Sequence, residues 1–174
     1  MTEFSLASFS LSSVDLSVAG AIHRSDRYLM IRYDLRGDLG AIIIPSPALP
    51  SRQTNLWQTT CFEFFLGLND SQRYWEFNLS PAGHWNAYRF DRYRRGMQEE
   101  TALAAFPFEV QQSPDGLRLT IALNLDCLGL AKQRFEVAIA AVIESKTHGL
   151  TYWALAHPGL EADFHRRDSF LIKL

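Results

Sequence analysis

The sequence predicts an all-β chain: an antiparallel β-sandwich, immunoglobulin-like or jelly-roll-like, with about ten strands and little helix. Three observations predict it. Short runs with polar and apolar residues in strict alternation recur along the chain, turn residues separate them at close intervals, and no stretch has the apolar periodicity of an ordinary helix. A closed barrel is the competing all-β architecture. The chain shows no internal repeat, low-complexity segment or Gly-rich phosphate loop, which argues against propellers, solenoids and nucleotide-binding α/β folds. With 174 residues, the chain is expected to form one domain over 1–174 that buries roughly 70 per cent of its unfolded surface and needs no staple.

The elements follow in order. Val14, Leu16 and Val18 alternate with polar residues, and Leu29, Ile31, Tyr33 and Leu35 do the same in the next run. Ala41 to Ile44 is apolar and β-branched, after which Pro45, Pro47 and Pro50 stop the sheet. The stretch through Gln58 reads as an ordered loop, because Leu56 and Trp57 give it something to bury. Glu99 to Ala105 has room for a helical turn or two, and Asp126 to Leu130 for one more. Leu117, Leu119, Ile121 and Leu123 alternate after the Pro114-Asp115-Gly116 turn, followed by strand-like runs at Phe135 to Ile143, Leu150 to Ala156 and Phe170 to Leu174.

The most informative stretch is Cys61 to Tyr93, which holds three consecutive alternating runs. Phe62, Phe64 and Leu66 share one face of the first, and Trp75, Phe77 and Leu79 share one face of the second, which assigns Trp75 to the core. The other face carries Glu63, Glu76 and Asn78. An even loop at Gly67 to Gln72 sets Glu63 opposite Glu76, where two carboxylates repel unless a shared proton, an arginine or a cation intervenes. If the Ser80 to Gly83 loop is also even, Trp85 and Arg89 join the same face. One reading of this face is a plain solvent-exposed sheet surface. The other is a binding surface, because pyranose C–H patches stack on an indole while carboxylate, amide and guanidinium groups pair with hydroxyls. Glycoside hydrolysis is not expected. Directly paired strand residues lie closer together than that chemistry requires, and a small sandwich encloses little substrate.

Composition excludes other classes. Seventeen basic and 19 acidic side chains give a net charge of −2, whereas nucleic-acid and anionic-membrane binders carry a basic excess. Arg89, Arg92, Arg94 and Arg95 form the one basic cluster, read as a solvated strand end, with a local anion site as the alternative. Cys61 and Cys127 sit in apolar runs without metal-ligand spacing and are expected to be reduced and buried. The N-terminus lacks a basic region followed by an apolar stretch, and no segment has the length of a membrane span, so a soluble, cytoplasmic protein is expected. Asn69-Asp70 reads as a hairpin turn, with a calcium role as the minor alternative. His23, His84 and His148 read as surface residues, and no serine occupies a GxSxG turn.

The segments LWQTTCFEFFL, YWEFNLSPAGHWNAYRF and YWALAHPGLEADFH resemble the DOMON-like superfamily, in particular a branch of small bacterial proteins related to family 9 carbohydrate-binding modules. The resemblance runs from about Leu56 to the C-terminus and is firmest over Trp57 to Phe90. It implies a sandwich of two antiparallel sheets that binds sugar or haem and performs no chemistry. Sugar-binding relatives grip the ligand between aromatic side chains, for which Trp57, Trp85, Tyr88 and Trp153 are available. Thr60 stands where those modules usually place an acid three residues before the strand glutamate, so calcium ligation does not carry over. Haem-binding relatives use axial Met and His, which here selects Met97 or Met30 with His157 or His165, Met97 with His157 being the first choice. No CxxCH attachment motif is present. The expectation is therefore a non-catalytic domain for a carbohydrate or other small polar ligand, without cofactor or metal. Haem binding is the alternative, and a protein-interaction domain or homodimer anchored by Trp57 is a third.

Overall fold

Thirteen strands run through the described residues: β1 (Thr2–Ser8), β2 (Leu16–Arg24), β3 (Tyr28–Gly37), β4 (Ile42–Ile43), β5 (Cys61–Leu68), β6 (Tyr74–Leu79), β7 (Trp85–Phe90), β8 (Gln98–Glu99), β9 (Phe108–Ser113), β10 (Gly116–Asn124), β11 (Phe135–Ser145), β12 (Gly149–Ala154) and β13 (Ile172–Lys173). The structure, a computed structural model, describes residues 1–10 and 14–174. Of the N-terminal segment read for a leader, 11–13 lie outside the described residues. Only β4, β8 and β13 are two-residue strands, so ten carry the architecture. Helix among the described residues is limited to 3₁₀ turns at Leu39–Ala41, Leu56–Gln58, Leu125–Leu128 and Arg167–Ser169. Glu99 to Ala105, read as room for a helical turn, is instead a strand end and a turn.

Two antiparallel sheets result. One has the order β1-β2-β3-β10-β9 and the other β8-β7-β6-β5-β11-β12, with β4 and β13 also on β11. β1 joins them, pairing with β2 along Thr2 to Leu6 and with β12 at Ala7 and Ser8. Alternation explains the core between the sheets. Val18, Ile22, Ile31, Tyr33, Leu119 and Ile121 come from the first sheet to meet Phe62, Phe64, Phe77, Leu79, Ile139 and Ala141 from the second. Tyr33 spans the layers, its ring 5.1 Å from that of Phe62 and its hydroxyl donating to the Glu63 carbonyl at 2.7 Å. Cys61 is buried as expected, but Cys127 is exposed, because Leu125 turns inward from the same 3₁₀ turn.

The second sheet departs from the half-buried pattern. Every residue of β6, and all but the last of β5, is buried. The outer face of these strands is covered by the C-terminal segment, whose Phe164 and Phe170 pack with Phe65, Tyr74, Tyr88 and Phe90 into a second apolar cluster. Gly67 makes the seat for this cover, since a side chain there would collide with the Arg167 guanidinium. Arg167 in turn donates to the Leu68 carbonyl and lies 3.3 Å from Glu136.

Candidate ligand-binding cleft

Hairpin parity decides which side chains share this covered face. Between β5 and β6 the pairing is Glu63 with Asn78 and Phe65 with Glu76, so both glutamates lie on the outer face, but diagonally instead of opposite. The next hairpin reverses the expectation for Trp85 and Arg89. Ser80 pairs with His84 around Pro81-Ala82-Gly83, with Gly83 at φ 99° and its N–H donating to the Ser80 carbonyl at 2.9 Å. That three-residue loop is odd, as expected of a turn closed by a left-handed glycine. Asn86, Tyr88 and Phe90 therefore join Glu76 and Asn78, while Trp85 and Arg89 go to the opposite face.

Trp85 is a core residue, packed 5.9 Å from Phe106 and capped by the Arg52 guanidinium at 4.2 Å. Arg89 donates to Gln98 at the strand edge. Trp153 also belongs to the core between the sheets, because its partner on β11, Ala141, faces inward. Trp75 packs there as expected.

The outer face opens into a cleft of about 450 Å³, whose lining includes Glu63 and Glu76. Its space has a sequence cause: beside Glu63 in the sheet lies Ala140, and beside that Ala154, so no bulky side chain fills that row. Trp57, Phe90, Tyr152 and Phe164 supply aromatic walls, and Arg94 and Met97 stand on the β7–β8 connection. Trp57 is held by the 3₁₀ turn after the Pro-rich loop, its ring 6.0 Å from Tyr88. That loop is tied down by Arg52, which donates to Asn86 Oδ1 at 2.7 Å and to the Glu100 and Leu103 carbonyls.

A clasp joins the two rims. Tyr93 and Arg94 both donate to Asp163, the arginine at 2.7 Å, and Asp163 accepts a third bond from the His165 N–H. His165 seals the neighbouring wall. Its Nδ1 lies 2.8 Å from Tyr74 Oη, which itself accepts from the Arg94 N–H. The tyrosine proton thus has Nδ1 as its acceptor, which leaves Nε2–H directed at Glu76 Oε2, 3.7 Å away.

The floor is short of donors. Asn78 Nδ2 donates to Glu76 Oε1 at 2.8 Å, but Glu63 Oε1 and Asn78 Oδ1 are buried without a hydrogen-bond partner among the described residues. Burial, followed by the nearby Glu76 charge, pushes the Glu63 carboxyl well above the ordinary range. Burial also raises Glu76 to about 7, with the Asn78 bond and Arg94 pulling it down. His165 falls to about 4, from burial first and Arg94 second. An imidazole that resists protonation so strongly is neutral beside Glu76, so their contact is not an ion pair. No group of three or more His, Cys, Asp or Glu side chains suited to a metal occurs among the described residues.

Of the residues singled out in the sequence, the cleft brings together Glu63, Glu76, Trp57, Met97 and His165, with Asn78 and Tyr88 on the same sheet face. His157 lies apart from that lining, with Nε2 2.9 Å from the Ala7 carbonyl and Phe9 against its ring. Met30 is exposed on β3 in the other sheet. The sequence reading missed Phe90, Arg94, Tyr152 and Phe164. Phe90 and Tyr152 follow from the true strand parity, whereas Arg94 and Phe164 depend on how two connections fold over the face.

The fold and cleft define a two-sheet β-sandwich with a half-roofed ligand-sized opening on one outer face. No protein-family model matches the chain, and no curated protein matches it. Solved structures do. A suspected carbohydrate-binding protein from Bacteroides uniformis superposes with a TM-score of 0.75 at 12% identity, covering 98% of this chain and 84% of its own. A family 9 carbohydrate-binding module from Caldicellulosiruptor kristjanssonii, in complex with glucose, gives 0.53 at 13% identity over 94% of this chain and 78% of the module. The cellotriose complex of a family 9 module from the same organism gives 0.52 at 13% identity, over 94% and 76%. At these identities the likeness is one of fold.

Proposed function

We propose that this chain is a non-catalytic carbohydrate-binding domain, and that the sugar occupies the cleft above Glu63 and Glu76. The observation that carries the reading is the juxtaposition of aromatic walls with a floor of buried, incompletely bonded polar groups. Stacking surfaces and fixed acceptors in one concavity suit a ring with an apolar face and hydroxyl edges. Trp57, and not Trp85, supplies the stacking plate. Glu63 and Glu76 take hydroxyl hydrogens, and Arg94 stands at the rim. Support also comes from the fold likeness to modules held in complex with glucose and cellotriose.

Calorimetric titration of glucose and cellotriose against wild type and Trp57→Ala tests this. Saturable binding that Trp57→Ala abolishes is expected, and binding indifferent to Trp57 overturns the assignment.

Haem is the second reading, because Met97 and His165 line the same cleft. The fit is poor: His165 has Tyr74 at one ring nitrogen and Glu76 near the other, and His157 lies apart on the Ala7 carbonyl. A Soret band after haem addition, lost in Met97→Ala, would restore it.

A further inference from the structure

We propose that the cleft selects an amine-bearing ligand, an amino sugar over its neutral counterpart, with the ammonium group seated between Glu63, Asn78 and Glu76. This rests on the carbohydrate reading and names the ligand class.

Counting donors and acceptors on the floor leads to it. Glu63 Oε1 and Asn78 Oδ1 are buried without partners, and Glu76 Oε2 has only the distant His165 ring at 3.7 Å. The donors nearby are committed elsewhere: Asn78 Nδ2 to Glu76 Oε1, Arg94 Nη2 to Asp163, and Tyr74 Oη to His165. With both carboxyls ionised, three acceptor atoms thus await donors. An ammonium offers three N–H donors and no acceptor, and it brings the charge that lets buried carboxylates ionise. A hydroxyl offers one donor and turns its own lone pairs toward oxygens.

The surrounding groups permit a cation. Glu63 itself is 3% exposed and Glu76 5%, so the site is built into the sheet and is not a surface cluster of acids. Tyr74, on β6 itself, and Tyr88, on β7, titrate at about 12, and His165 at about 4, so none is charged at neutral pH. Arg94, the one cation lining the cleft among the described residues, has its charge matched by Asp163 at 2.7 Å. From β11 and β12 come Val142, Leu150 and Tyr152, and the walls Trp57, Phe90 and Phe164 present aromatic surface that favours a cation. Empty, the glutamate pair retains a proton at neutral pH. The ammonium displaces that proton to solvent, and both carboxylates then accept from it.

The test is calorimetry of D-glucosamine, D-glucose and N-acetyl-D-glucosamine with the intact chain near neutral pH, in two buffers of different ionisation enthalpy. Glucosamine is expected to bind about tenfold more tightly than glucose, with a buffer-dependent heat that reports proton release. Acetylation of the amine abolishes the advantage. Glu63→Gln narrows the ratio, although the wild-type comparison stands without it. Glucose binding as tightly as glucosamine overturns the amine site and leaves the carbohydrate reading intact, whereas no binding by any of the three sugars removes both.

Discussion

Glu63 and Glu76 sit diagonally on adjacent strands, Glu63 facing Asn78 and Glu76 facing Phe65, with both carboxyls buried under the C-terminal segment. The offset removes the head-on repulsion of a direct pair, and Asn78 bridges part of the gap by donating to Glu76. Among the described residues no arginine donates to either carboxyl. The pair is therefore relieved by holding a proton, and that choice governs the behaviour of the face.

Stability should fall as pH rises. A carboxyl whose pKa is raised by folding contributes fully below its unfolded value, 4.5, and loses that contribution as pH climbs through the folded value, about 7 for Glu76 and well up for Glu63. His165 works in the opposite sense: lowered from 6.5 to about 4, it penalises folding as pH drops through that window. One histidine offsets one of two glutamates, so the net slope is a loss toward alkaline pH. Thermal melts from mildly acidic to mildly alkaline buffer should show it. Glu76→Gln should recover on the order of 3 kcal/mol on the alkaline side, and a flat wild-type profile would contradict the shared proton.

Trp57 and Trp85 should separate binding from folding. Trp85 is 4% exposed within the core, so Trp85→Ala is expected to cost about 3–5 kcal/mol. Trp57 stands in the cleft wall, and its removal should cost about 1 kcal/mol or less while abolishing sugar binding. Urea denaturation and calorimetry on the two variants measure both quantities. Equal losses of stability would mean that Trp57 is part of the core.

Why the sequence reading put Trp85 on the outer face comes down to turn chemistry. The even loop joining β5 to β6 places Glu63, Glu76 and Asn78 on one face, as alternation suggests. Ser80-Pro81-Ala82-Gly83 also carried its own signal, since proline before a left-handed glycine marks the odd hairpin loop that turns Trp85 inward. Alternation alone could not show that this face is covered. Its lid, Phe164 and Phe170, comes from the far end of the chain, and the clasp from Arg94 to Asp163 joins two connections whose local sequences say nothing of each other. Strand content is a local property, whereas a roofed cleft is a tertiary one.

Arg52 should behave as a structural staple for the loop that carries Trp57. Its guanidinium forks to Asn86, Glu100 and Leu103 while lying on the Trp85 ring. Arg52→Ala is expected to cost about 2–4 kcal/mol, since the Asn86 oxygen and two carbonyls lose a charged donor. Arg52→Lys should restore less than half of that, because an ammonium cannot reproduce the planar fork. Chemical denaturation of the three proteins checks the order, and full rescue by lysine would reduce Arg52 to a point charge.

Asp163 sets the charge that the cleft presents. Against the cost of its burial, bonds from Tyr93 and Arg94 hold the Asp163 carboxyl below its ordinary range, and the same carboxylate neutralises Arg94. Asp163→Asn leaves that cation unmatched at the rim, where it already draws the Glu76 pKa downward. Two effects follow from the one change: Glu76 titrates at a lower pH, and any preference for an ammonium over a hydroxyl shrinks by roughly threefold to tenfold. Because the Arg94 side chain is 51% exposed, the stability cost of losing the ion pair should stay within about 1 kcal/mol. Carbon-detected NMR titration of the Glu76 carboxyl follows the first effect directly. If that titration curve is the same in Asp163→Asn as in wild type, Arg94 does not act on Glu76, and the clasp is only a mechanical tie between the two rims.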